Sequence, residues 1–205
     1  MNEWRRTRFG NPAAWYTGIG ILLLAFTLWI PWLSASRTAR VETRGDRLAN
    51  ALLDATEGFL LPLDEADLQI LLSRFYLTAA SRGVRIKDVK RVEPAPDGSL
   101  LLLTNKHYCL QVSETPLDPQ SRPGKNTVAS LEVVAWPLNA TSPGHCVYFY
   151  PQDDSRAYSR NLRRGYRGIK KNYRPEPGAC HRRPGGAGAR KAQYPGVDDE
   201  RWILY

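Results

Sequence analysis

Cysteine and histidine occur three times each in this 205-residue chain, and every cysteine has a histidine next to it or one residue away. The pairs are His107 with Cys109, His145 with Cys146, and Cys180 with His181. Thiolate and imidazole are the usual zinc ligands, and four of them closing a tetrahedron make a structural site. The Cys-x-x-Cys and His-x-x-x-His spacings of zinc modules are absent, which leaves these six residues as weak metal candidates. The competing expectation is one disulfide, Cys146–Cys180, pinning the C-terminal region to the domain. Cys109 is then a buried free thiol, turned inward on its strand while Tyr108 points outward. An oxidising compartment favours the disulfide and a reducing one the metal. The disulfide is the expectation adopted, with no metal or other cofactor.

A second group of residues could bind rather than react. Arg160, Arg163, Arg164, Arg167, Lys170, Lys171 and Arg174 alternate with Tyr158, Tyr166 and Tyr173. Between Arg156 and Lys191 twelve basic residues face Glu176 alone, and residues 151–205 carry +7 of the net charge of +9. Cations bind phosphates and aromatic faces stack on bases, so single-stranded nucleic acid is one ligand class. Anionic lipid headgroups or acidic wall polymers satisfy the same charge. A solvated, poorly ordered face is what such runs ordinarily form.

Catalytic signatures are missing. The chain has no Gly-rich phosphate loop after a strand, no Gly-x-Ser-x-Gly and no His-Glu-x-x-His. The acid pairs Asp64/Glu65, Asp153/Asp154 and Asp198/Asp199/Glu200 stand in turn-like or terminal settings, where helix capping and solvated loops account for them. Asn139-Ala140-Thr141 matches a glycosylation sequon, a pattern short enough to arise by chance. Neither an enzyme nor a small-molecule substrate is expected.

The elements that position these residues begin with a hydrophobic run. No charged residue occurs from Phe9 to Ser36; Arg5, Arg6 and Arg8 precede the run and Arg37, Arg40 and Arg44 follow it. Trp15 and Tyr16 mark one end, Trp29 and Trp32 the other, as interfacial aromatics do at the two headgroup levels. Trp15 to Trp32 is 17 steps, about 26 Å of helix at ~1.5 Å per residue, close to the hydrocarbon thickness of a bilayer. A cleaved signal has a shorter apolar region, of about 7–15 residues, so a retained single-pass anchor over 13–35 is expected behind a short basic tail, 1–12. Arginine counts on the two sides do not fix the orientation. The short N-terminal tail and the expected disulfide point to a C-terminal domain outside the cytoplasm, on the inner membrane.

An amphipathic helix over 36–62 should continue the anchor: Val41, Gly45, Leu48, Leu52, Ala55 and Phe59 recur at helical spacing, and Gly58 and Pro62 end it. A second helix opens at Asp64, with Asp67 completing the cap. It buries Leu68, Leu71, Leu72, Phe75 and Ala79 and closes at Gly83. From Val84 the period changes to that of strands: Val89–Glu93, Leu100–Thr104, Tyr108–Val112, Val128–Trp136 and Val147–Tyr150. Pro96-Asp97-Gly98 and Thr104-Asn105-Lys106 read as hairpin turns. The fold class is therefore α+β: an α+β soluble domain over 63–151 with a four- to five-stranded antiparallel sheet. Residues 152–205 form a basic Tyr/Gly-rich excursion ending in one terminal strand.

This order resembles bacterial type IV pilins and pseudopilins: a basic leader (Arg5, Arg6, Arg8) ending at Gly10, an apolar helix extended by an amphipathic one, then an antiparallel sheet. The family cuts its leader after that glycine and has a glutamate at the fifth position of the mature helix. Here Asn11 and Pro12 follow Gly10, and the fifth position is Trp15. The resemblance implies a non-catalytic, membrane-retained, pilin-like component of an envelope assembly or secretion system, whose partners are the lipid bilayer and other single-pass subunits. The alternative expectation is a membrane-tethered module that holds nucleic acid or an acidic polymer with its basic C-terminal region. A third is an enzyme accessory or zinc-stabilised sensor domain.

Overall fold

The computed structural model describes residues 12–115, 130–152, 155–183 and 192–205. The chain divides into two compact units, Met1–Thr38 and Ala39–Tyr205, and the protein is α+β. Helix α1 (Pro12–Thr56) begins in the first unit and ends in the second. In the first unit it continues through Pro31, whose missing N–H leaves the Thr27 carbonyl without its helical partner. Tyr16, Leu22, Leu24, Phe26, Trp29 and Trp32 are all exposed there. Among the described residues this is the one helix long and apolar enough to cross a membrane, and its most apolar 18-residue stretch has a mean hydropathy of 1.8.

The second unit starts from the other part of α1. Leu48, Ala49, Leu52 and Ala55 are buried, at the spacing that puts them on one helical stripe. Gly58, at φ +80°, takes the chain out of the helix where an L side chain would be strained. Helix α2 (Glu65–Ser81) then opens on a capping box. The Asp67 N–H donates to Asp64 Oδ1 at 2.8 Å, and the Asp64 N–H donates to Asp67 Oδ2 at 3.2 Å. Its buried residues are Leu68, Leu71, Leu72, Phe75 and Ala79, the face that the sequence spacing marks. Arg82 pairs with Asp54, tying the end of α2 to α1.

Among the described residues eight strands follow: β1 (Lys90–Arg91), β2 (Leu101–Thr104), β3 (Tyr108–Glu114), β4 (Leu131–Pro137), β5 (Val147–Pro151), β6 (Ala157–Ser159), β7 (Gln193–Pro195) and β8 (Arg201–Leu204). They form one antiparallel sheet in the order β1-β2-β3-β4-β5-β6-β8-β7. The expected four- to five-stranded sheet is therefore too small. β6 and β7 have three residues each, too short to show the period of a strand among their Arg, Pro and Gly neighbours.

Both faces of the sheet are covered. One carries Leu101, Leu103, Tyr108, Leu110, Val112, Val133, Ala135, Tyr148 and Tyr150 against the two helices. The other carries Leu102, Cys109, Val134, Trp136, Val147 and Phe149 beneath Tyr166, Cys180, Tyr194 and Trp202. Tyr108 therefore does not point outward to solvent, as the sequence suggested: it is buried on the helix side, and Cys109 is buried on the other. Burying one side chain such as Phe149 stabilises the fold by about 1.5–3 kcal/mol. The basic C-terminal region is thus the second covering layer of the domain.

Candidate functional site

The covering layer is held by carboxylates that the sequence placed in solvent. Glu200 is 1% exposed and Asp198 6%. Glu200 Oε2 accepts the backbone N–H groups of Arg163 at 2.9 Å and Arg164 at 2.8 Å, and Oε1 accepts that of Arg201 at 3.0 Å. Burial alone would raise this carboxyl. The N–H groups of Arg164, Arg201 and Arg163, with the Ser159 hydroxyl, outweigh burial and hold it below the usual carboxylate range. Asp198 Oδ2 accepts the Tyr166 hydroxyl at 2.7 Å, and burial followed by that bond keeps the phenol protonated.

These contacts shape the loop 160–167. Asn161 sits at φ +56°, a left-handed conformation that Asn tolerates, and its side chain staples the loop. Nδ2 donates to the Tyr166 carbonyl at 2.9 Å while Oδ1 accepts the Tyr166 N–H at 2.7 Å. Beyond the loop, the Gly168 N–H donates to the Pro137 carbonyl at 2.9 Å, and Trp136 Nε1 donates to the Gly168 carbonyl at 2.8 Å. The loop is docked on the end of β4 from both sides.

A shallow cleft of about 230 Å³ opens at this junction, lined among others by Asn139, His145, Arg160, Asn161, Leu162 and Arg167. No carboxylate is among its described lining residues. The Arg160 side chain makes no hydrogen bond or ion pair among the described residues, and its charge acts on the nearby Cys146 thiol. The Arg167 guanidinium stacks 4.8 Å from the centre of the Tyr173 ring, a contact that leaves its N–H donors open. The His145 backbone N–H, and that of Cys146, donate to Glu42 Oε1 on α1 at 3.1 and 3.3 Å.

The seven basic candidates therefore separate by role. Arg174 is buried and donates to the Asp97 carbonyl at 2.9 Å, so it joins the covering layer to the 96–98 turn. Arg163 Nη1 donates to the Asp199 carbonyl at 3.2 Å, and Arg164 Nε to the Asp198 carbonyl. Arg163 and Arg164 nonetheless stay exposed, as do Arg160, Arg167, Lys170 and Lys171. The chemistry this arrangement offers is capture of an anion by guanidinium donors on a preformed loop.

The cysteines and histidines are not brought together. Cys146 packs with the helix-side core and Cys180 in the opposite core, so the sheet separates them and the expected Cys146–Cys180 disulfide is not formed. All three cysteines are free. Burial pushes the Cys109 and Cys146 thiols up to about 12, helped at Cys146 by Glu42, and raises Cys180 well above its ordinary value. Among the described residues no group of three or more His, Cys, Asp or Glu is placed to hold a metal ion, so His107, Cys109, His145, Cys146, Cys180 and His181 do not converge on one such group. Of the interface aromatics, Tyr16, Trp29 and Trp32 are exposed on α1, and the side chain of Trp15 lies outside the described part. Asp153 and Asp154 lie outside the described residues as well.

Sequence reasoning missed Glu132. It is 1% exposed on β4, on the face of Val134 and Trp136. It accepts from Ser113 Oγ at 3.1 Å and the Gly178 N–H at 2.8 Å, and lies 2.9 Å from His181 Nε2. Its strand alternation with buried residues was the available signal, but an acid at such a position also fits a solvated face. No protein-family model, curated protein or solved structure matches the chain.

Proposed function

We propose that the chain is a single-pass, membrane-anchored, non-catalytic subunit of a pilin-like envelope assembly or secretion system, with its C-terminal domain outside the cytoplasm. The observation that carries this reading is the division of α1. Its first part is free of charge and presents Leu22, Leu24, Phe26, Trp29 and Trp32 uncovered, and its last part supplies the core of an α+β domain. Apolar surface on that scale needs lipid or neighbouring helices against it. A helix that serves as anchor first and as sheet support second is the layout of pilin-like subunits. Trp15 in place of the fifth-position glutamate suits a subunit retained in the membrane.

The test has two arms. A C-terminal reporter active only outside the cytoplasm should be active, and other single-pass proteins should copurify with the chain. Exchange of 13–35 for an unrelated span should abolish that copurification; an unchanged partner set sinks the assembly reading. The second reading, a tethered polyanion-binding module, is favoured by Arg160 and Arg167 lining one cleft whose described lining residues include no carboxylate.

A further inference from the structure

We infer that the cleft between Arg160 and Arg167 is a binding site for the phosphate headgroup of an anionic lipid. This inference rests on the reading of 13–35 as a membrane anchor.

Four observations lead to it. Charge comes first: ten basic residues and one acid lie between 155 and 183. Arg160 and Arg167 line the cleft and give no side-chain hydrogen bond among the described residues, with Arg160 also close enough to act on the Cys146 thiol, whereas Arg163, Arg164 and Arg174 each give one N–H to a carbonyl. Shape is second. About 230 Å³ accommodates a phosphate with a small polar substituent, and Asn139 and His145 stand at its wall as further polar groups. Asn139 already accepts the Thr141 hydroxyl on Oδ1 at 2.9 Å, which turns its amide N–H₂ to the role of donor.

The third is apolar. Leu162 lines the same cleft and is 83% exposed, and Ile169 and Tyr173 nearby in sequence are 44% and 42% exposed. Aliphatic side chains projecting beside arginines suit the headgroup–acyl boundary of a bilayer. A single-stranded nucleic acid would instead need open aromatic faces. Tyr166 is buried with its hydroxyl on Asp198, and one face of Tyr173 carries Arg167. The fourth is chain length. The backbone N–H of His145 is bonded to Glu42, which follows the last residue of the charge-free run, Ser36, by six positions. Six residues span at most about 22 Å even when fully extended, which bounds how far the Glu42 backbone can lie from the end of the charge-free run.

The experiment uses the full chain in uncharged maltoside micelles. Short-chain phosphatidylglycerol, short-chain phosphatidylcholine, inorganic phosphate and a single-stranded oligonucleotide are titrated in turn, with binding read by intrinsic fluorescence and by NMR of the lipid phosphorus. Phosphatidylglycerol should bind saturably, and its affinity should fall as salt is raised. The double variant R160Q/R167Q should weaken it by about tenfold or more, while K170Q/K171Q changes it by less than about threefold. L162S should weaken phosphatidylglycerol and leave inorganic phosphate unchanged. All three variants alter exposed side chains, and unchanged thermal unfolding verifies that they fold.

Equal affinity for phosphatidylcholine, or indifference to R160Q/R167Q, overturns the site. Inorganic phosphate or oligonucleotide binding as tightly as phosphatidylglycerol overturns the lipid assignment. Alkaline extraction of the chain from membranes reports separately on the anchor: release into the soluble fraction removes the anchor reading, whereas the micelle titration reads the cleft directly.

Discussion

The phenol ring of Tyr108 on β3 lies directly against Gly45 of α1: a Cβ placed on Gly45 would stand 2.8 Å from the ring. On the far side the space is equally full, for a Cβ on Gly144 would stand 2.7 Å from the Tyr108 oxygen and 3.0 Å from Val41. The two glycines let the helix, the sheet and the chain leading into β5 close around one buried aromatic.

Gly45→Ala should therefore destabilise the domain although alanine favours a helix. The propensity gain is at most about 1 kcal/mol, and overpacking costs about 1–3 kcal/mol. Gly45→Val adds bulk and loses most of that propensity gain, so it should cost more. Thermal unfolding of the full chain in micelles measures both. A variant Gly45→Ala more stable than the parent would show that the ring has room to move.

The helix side of this packing was legible in the sequence, and the other side was not. Gly45, Leu48, Leu52 and Ala55 announce a stripe, and Asp64 with Asp67 announce a cap, because both signals are complete within a turn or two of chain. The second face depends on partners far apart in sequence. Gln111, Ser113 and Glu132 alternate with Leu110, Val112 and Val133, which is also the pattern of a strand half in water. Their cover is supplied by Tyr166, Cys180 and Trp202, set among arginines, prolines and glycines that by composition suggest loops. The cleft shares this obscurity. By sequence Arg160 and Arg167 are two of seven alternating cations, and only the folded loop 160–167, stapled by Asn161 and Glu200, brings these two to one cleft.

His181 and Glu132 supply a second prediction. The carboxylate has hydrogen bonds from Ser113 and Gly178 on one oxygen and His181 on the other, with little solvent access. His181→Ala removes the partner of a buried acid, and such losses cost about 2–4 kcal/mol. His181→Gln offers an N–H donor at a similar reach and should recover part of that loss. Equal unfolding midpoints for His181→Ala and the parent would mean that water replaces the imidazole without cost.

Acid should weaken the fold through two carboxylates. Glu65 is held down to about 2, chiefly by its hydrogen bonds from Arg91 at 2.7 and 3.0 Å, against an ordinary value of 4.5. Its folded value is the lower one, so its contribution is complete above pH 4.5 and is lost as pH falls through that value toward 2. Glu200 shifts in the same direction and adds to the loss in the same acid range. The variant Glu65→Gln should show a shallower fall of unfolding midpoint between pH 5 and 3, about the range this linkage covers. Identical slopes for variant and parent would exclude the Arg91 pair as a source of acid sensitivity.

Thiol chemistry gives the last prediction, and it discriminates between folds as well as redox states. Reagents attack the thiolate, and Cys109, Cys146 and Cys180 are all held protonated by burial, Cys180 further by Asp198, Glu132 and Glu200. The folded chain should react slowly with a disulfide reagent at neutral pH. Cys146, the half-buried member, should react first, and all three should titrate once the chain is unfolded without reductant. A covalent Cys146–Cys180 bond would leave one thiol in that assay, and it would require the two residues to leave opposite faces of the sheet. Three thiols in the unfolded chain would show the absence of the bond, and their slow reaction in the folded chain would test their burial.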